Sequence, residues 1–181
     1  MSFYEDMMVS LQEAIDYSKG SKDLHVKTVT ITTNCDNKAK YSALEIAKWF
    51  IGYNRLKHED NPDDNITNLK LQKLLYYAQG ISLKYTGKPL FDENIEAWQY
   101  GPVVPVVYHE YKQYGGMGIN KNITMPNFDE NTESILKDVY EDYGQYSAWK
   151  LRDMTHEESP WKETPRNFVI PLSKMYQFFG R

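Results

Sequence analysis

TNLKLQKLLYYAQG (67–80) and AWQYGPVVPVVY (97–108) belong to one stretch, residues 67 to 114, around which the rest of the chain is organised. In the first half Leu71, Leu74, Leu75, Ala78 and Ile81 recur at spacings of three and four, which on a helix gathers them into one apolar, core-facing stripe. Thr67 starts that helix, and Tyr85-Thr86-Gly87 ends it. In the second half Gly101, Pro102 and Pro105 break helix, so the aromatic and branched residues around them sit on a turn that hands the chain to a new element. Pro102 suits the first turn of that next helix, with Val103, Val107 and Tyr111 along one face until Gly115-Gly116 stops it. No residue in the stretch is arranged for chemistry.

Taken in order, LKLQKLLYYAQG, GKPLF, EAWQYGPVVPVVY and LRDMTHEESPW resemble the Panacea domain family, also called the SocA-like or GepA-like phage-associated domain. The resemblance runs from about Tyr41 to the C-terminus and leaves residues 1 to 40 aside. It implies an antitoxin that neutralises a cognate toxin encoded by an adjacent gene, by binding it directly. It also implies an alternative, a proteolytic adaptor that delivers the bound partner to a protease.

Composition sets the frame. The 181 residues suit one domain with an appendage, and 41% hydrophobic with 14% aromatic residues is too high for a disordered chain. A net charge of -4 opposes binding to phosphate backbones unless basic residues cluster, so nucleic acid is not an expected partner. The single cysteine, Cys35, excludes an internal disulfide framework and fits a reducing compartment. The chain starts without a signal-peptide pattern and has no apolar run of the roughly 20 residues a membrane span needs. Cytoplasmic location and no membrane partner are therefore expected.

The leader reads as an appendage, residues 1 to 40, ahead of a domain spanning 41 to 181. Ser2 to Glu5 fits a capping box, and Phe3, Met7, Met8, Leu11, Ala14 and Ile15 follow at helical spacing up to Gly20. Val26 to Thr32 has the β-branched alternation of a short strand, and 34 to 40 reads as a linker. Ser42 to Glu45 is a second capping box, and residues 58 to 64 form a polar loop. The segment FDENTESILKDVYED (128–142) is acidic and reads as a solvated helix face, and Ile135, Leu136, Val139 and Tyr143 mark an amphipathic helix there. Ser147 caps a further helix carrying Trp149, Leu151 and Met154. Phe168 to Ile170 reads as extended, and Pro171 to Phe179 as a terminal helix closed by Gly180. The fold class expected is mainly α: a compact helical domain with a few short strands and an N-terminal helix-strand appendage.

An enzyme needs a nucleophile with a base, a metal cluster or a carboxylate pair. None is legible. His156-Glu157 suggests a zinc-protease helix, but the second histidine belongs four residues after the first, where Pro160 stands. Gly115-Gly116-Met117-Gly118 lacks the lysine and the preceding strand of a phosphate loop. No cofactor, metal or catalytic residue is expected, and an enzyme ranks behind both binding readings. A binding module asks only for a scaffold and a surface with aromatics that fill a partner's pockets. The candidate contact residues are Trp98, Tyr100, Pro102, Val104 and Tyr108 on the turn, with Met7 and Met8 on the leader. Gly101, His156, Glu157, Pro160 and Trp161 read as structural: His156 and Glu157 making local hydrogen bonds, Pro160-Trp161 locking a chain reversal coupled to the Trp98 turn.

Overall fold

The computed structural model of the chain describes residues 38–58 and 64–180. The expected leader helix, the strand at Val26 to Thr32, Met7, Met8 and most of the loop at 58 to 64 lie outside the described residues. Within them the element order is α1 (Ala43–Lys57), α2 (Asn68–Thr86), β1 (Glu96–Trp98), β2 (Gly101–Val103), α3 (Pro105–Tyr111), α4 (Glu130–Tyr143), α5 (Ala148–Glu157), α6 (Ser159–Lys162) and α7 (Leu172–Phe179). A 3-10 turn at Lys112–Tyr114 follows α3. The domain is mainly α, with one two-stranded sheet among the described residues.

Local sequence starts and stops most of these helices. Ser42 caps α1 in a reciprocal box: its hydroxyl accepts from the Glu45 amide while the Glu45 carboxylate accepts from the Ser42 amide at 2.9 Å. Thr67 caps α2, Asp129 caps α4 and Ser147 caps α5, each side chain accepting from the amide three residues on. Gly87 closes α2 in the left-handed conformation at φ 67°.

Helix α2 is the axis of the domain, touching α1, α3, α4, α5, α7 and β2. Every residue from Leu71 to Gly80 is buried, so its expected stripe is one side of a helix covered all round. Gly80 allows α7 to close on it: a Cβ there would lie 2.2 Å from a ring carbon of Phe179. Tyr76 packs edge-on against that same ring.

The hairpin corrects one expectation. Pro102 lies in β2, paired with Ala97, and the first helical position of α3 belongs to Pro105. The tight turn between Trp98 and Gly101 is the cause, because Gly101 at φ 101° brings the next residues back antiparallel along β1 before any helix can begin. On the other edge of β1, residues 167 to 170 run alongside: Ala97 donates to the Phe168 carbonyl at 2.9 Å, and Ile170 donates to the Ile95 carbonyl at 2.8 Å.

Candidate functional site

The hairpin is held in place by polar side chains of α2. Counting 100° per residue, Asn68, Gln72 and Gln79 fall within about 40° of one another around that helix, and Lys73 stands about 100° further round. Each bonds to residues of the stretch from Leu90 to Tyr108 or to a side chain that does. The Gln79 amide donates to the Phe91 carbonyl at 3.0 Å and accepts from the Leu90 amide at 2.8 Å. Gln72 accepts from the Val104 amide at 2.9 Å and donates to Asn68, which donates onward to the Tyr108 carbonyl. Backbone that cannot pair in a sheet is thereby satisfied, and its position is fixed.

Lys73 adds a fourth polar anchor, further round the helix. Its side chain is fully buried, and Nζ donates to the Pro102 carbonyl at 2.8 Å. Burial, followed by the charge of Arg152, pulls its pKa down to about 7. Gly101 lies directly over it: a Cβ there would stand 2.7 Å from Nζ and 2.9 Å from the Thr155 hydroxyl. Glycine is needed for this close approach as well as for its positive φ.

The second turn packs over the first. Trp161 Nε1 donates to the Trp98 carbonyl at 3.0 Å, and the His156 ring stacks on Trp161 with centroids 3.7 Å apart and planes 8° from parallel. His156 Nε2 is buried and makes no hydrogen bond, so the expected local bond is replaced by a stack. Glu157 is exposed and pairs with Lys162 at 3.0 Å, while Pro160 is buried and its carbonyl accepts from Thr164. Behind this turn Glu158 accepts from the Tyr77 hydroxyl at 2.9 Å, and burial raises its carboxyl above the usual range.

Of the candidate contact residues, Tyr100 is exposed and Trp98 and Tyr108 are half-buried. Trp98 and Tyr108 pack edge-on at 5.0 Å, and the Trp98 indole donates to Glu96 at 2.7 Å. Pro102 and Val104 are buried and correct that expectation, because Pro102 lies in β2 against α2 and Val104, at the start of α3, is held to Gln72 of α2. Trp149, which was not among the candidates, meets Tyr100 edge-on at 6.1 Å and is 60% exposed. Its signal lay in the sequence: on a helix it stands about 200° from Leu151 and cannot share that residue's inward face.

Residues 71–162, which contain both turns and most of α2, match the family described as Antitoxin SocA-like, Panacea domain. The chain belongs to this family. A protein named Antitoxin SocA from Caulobacter vibrioides (strain NA1000 / CB15N) is 36% identical over 112 residues, which cover 55% of this chain and 60% of that relative. The match thus spans less than two thirds of the relative's length. No solved structure matches the chain. The matched segment therefore contains Gln72, Lys73 and Gln79 of α2, the hairpin and the His156–Trp161 stack, with Asn68 just before it. No helix among the described residues is long and apolar enough to cross a membrane.

Proposed function

We propose that this protein is an antitoxin that binds a toxin encoded by an adjacent gene and occludes its active surface. The observation that carries the reading is the exposed Tyr100–Trp149 pair. Tyr100 stands on the Trp98 to Gly101 turn and Trp149 in the first turn of α5, both inside the segment that matches an antitoxin family. Large aromatic side chains on a preorganised scaffold contribute contact area at small entropic cost. Trp and Tyr are also the residues on which binding energy concentrates. The partner is cytoplasmic, as is this chain, and the role is one of binding rather than catalysis.

In this reading residues 1 to 40 dock on the domain itself or on the toxin, and in the second case Met7 and Met8 supply a contact suited to adaptable packing. If the leader docks on the toxin, deleting residues 1 to 40 weakens the complex while leaving the melting temperature of the remainder unchanged. Early melting of the truncated chain would place the leader in the fold instead.

The deciding experiment expresses the adjacent gene alone and with this chain. Growth arrest by the first, relief by the second and co-purification of a stoichiometric complex are expected. Relief without a complex defeats direct occlusion. Relief accompanied by protease-dependent disappearance of the toxin replaces it with the adaptor reading.

A further inference from the structure

Beside the end of α1 the surface holds a cavity of about 710 Å³, bounded by that helix, the chain entering α2 and the segment 120–125. A second, of about 640 Å³, adjoins it through Asn54, His58, Asp64 and Asn65 and reaches the end of α4. The walls are tied to one another. Asn54 is 3% exposed; its amide donates to the Asp64 carbonyl and its oxygen accepts from the Tyr140 hydroxyl, both at 2.8 Å. Arg55 Nη2 donates to the Lys121 carbonyl at 2.9 Å, and Ile119 donates to the Ile66 carbonyl at 2.9 Å. Met125 packs directly on Gly52, where a Cβ would lie 3.0 Å from its own. The larger cavity is thus formed before any ligand arrives, which lowers the cost of binding one.

The groups left over in it have a pattern. Residues 119–129 run without helix or turn, and Asn120 and Asn122 line the cavity while Lys121 between them reaches away to Glu110 at 2.6 Å. Both carboxamides are exposed and make no side-chain hydrogen bond among the described residues. Each offers one acceptor and an adjacent donor, as a peptide group does. Where such a wall is extended, alternate residues stand about 6.6 Å apart, which is also the two-residue repeat of an extended peptide laid along it. Leu56, Ile123 and Met125 supply apolar surface in the same cavity, and Leu56 is 55% exposed.

Charge narrows the class of ligand. His58 Nδ1 lies 3.5 Å from the Asp64 carboxylate, whereas Arg55 has no carboxylate within ion-pair distance among the described residues. One unpaired cation suits one acidic side chain and is too little for a chain of phosphates. Nor does a Phe, Tyr or Trp line this cavity among the described residues, so a nucleobase lacks its usual stacking partner.

We propose that this cavity binds an extended segment of the toxin, its main chain on Asn120 and Asn122, an apolar side chain on Leu56, Ile123 and Met125, and an acidic side chain at Arg55. The toxin as source rests on the antitoxin reading; the peptide site does not. None of these residues belongs to the Tyr100–Trp149 pair, so the two contacts can be broken separately.

The first test uses the full chain alone, with the peptide acetyl-Ala-Leu-Ala-Glu-Ala-amide at millimolar concentration as the probe. The side-chain NH₂ signals of Asn120 and Asn122 and the methyl signals of Ile123, followed by NMR, should shift and saturate together. Replacing the glutamate of the peptide by glutamine should weaken binding about 3-fold, as loss of a partly exposed ion pair does. The double variant Asn120→Ala/Asn122→Ala, altered only at exposed side chains, should fold as the parent does and bind the peptide about 10-fold more weakly by the Ile123 signals. Signals that stay still with the peptide overturn the site. Signals that move with adenosine monophosphate and not with the peptide overturn its class.

The second test uses the complex with the adjacent gene's product, in which the same double variant should lose about 10-fold in affinity. A peptide response with undiminished affinity for the toxin overturns the toxin as the source of the segment. If no complex forms at all, the antitoxin reading fails and the source fails with it, while the peptide titration still decides the site.

Discussion

Along one flank of α2, Leu71, Leu74, Leu75 and Ala78 pack into the hydrophobic core, whereas along the other Asn68, Gln72, Lys73 and Gln79 hold backbone groups of the hairpin and its approaches. All of these side chains are buried, yet they act differently. The apolar flank contributes a non-directional term that scales with area and tolerates repacking. The polar flank contributes little net stability per bond, but each bond has only one satisfactory geometry. A binding surface that must hold a fixed outline is therefore expected on the polar side. The Trp98 to Gly101 turn is there.

The largest effects should separate these flanks. Leu74→Ala removes a fully buried side chain from the apolar flank and should cost about 2–5 kcal/mol in urea denaturation. Because the loss is of area, amide exchange should rise throughout the domain. Gln79→Leu should cost less, about 1–3 kcal/mol, because it leaves the Leu90 amide and the Phe91 carbonyl without their partner. Its exchange signature should be local, concentrated between Leu90 and Val104. If both variants give the same exchange pattern, the two flanks do not differ in kind and the comparison fails.

Lys73 sharpens the contrast through pH. Its pKa is about 7 in the folded chain against the usual 10.5, so between those values the unfolded chain holds a proton that the folded chain has shed. Stability contributed by this site therefore rises with pH across that window, with a limiting slope of about 1.4 kcal/mol per pH unit. The Lys73→Met protein should lack the slope. Subtracting denaturation free energies of parent and variant at pH 7, 8 and 9 isolates it. A flat difference would mean that Lys73 keeps its proton in the folded chain, held by the Pro102 carbonyl.

The parts of this fold that were legible in the sequence are the local ones. Ser42-Glu45, Thr67, Gly87 and Ser147 each start or stop a helix through bonds to residues three or four away, and those signals survive into the structure. The hairpin was not legible, because Pro102 and Pro105 satisfy the same helix-start rule. What separates them is the pairing of Trp98 with Gly101 and the reach of Lys73 from a helix 29 residues earlier. The polar flank left a trace that hydrophobic periodicity hides: Asn68, Gln72 and Gln79, spaced four and seven apart, repeat on one side of the helix just as the leucines do. Of the site, Trp98, Tyr100 and Tyr108 were legible as aromatics near a turn. Pro102 and Val104 were misplaced because the chain from β2 into α3 lies against α2, and the stack of His156 on Trp161 has no signature in spacing.

The smallest expected effect on stability belongs to the outermost residue, and it is the one that most directly divides scaffold from surface. Trp149 is 60% exposed, and among the described residues its ring contact is with Tyr100, itself 49% exposed. Replacing it by alanine removes little buried area, so Trp149→Ala should shift the unfolding free energy by no more than about 0.5 kcal/mol. If the pair is the anchor of the toxin complex, the same substitution should weaken binding by about 2 kcal/mol or more, as truncation of a central aromatic contact does. Calorimetric titration of the parent and variant with the adjacent gene's product, alongside their denaturation curves, gives both numbers. Unchanged affinity at unchanged stability would move the contact surface away from Tyr100 and Trp149. The exposed Phe168 and Leu172, near the end of the chain, would then be the next aromatic and aliphatic positions to truncate.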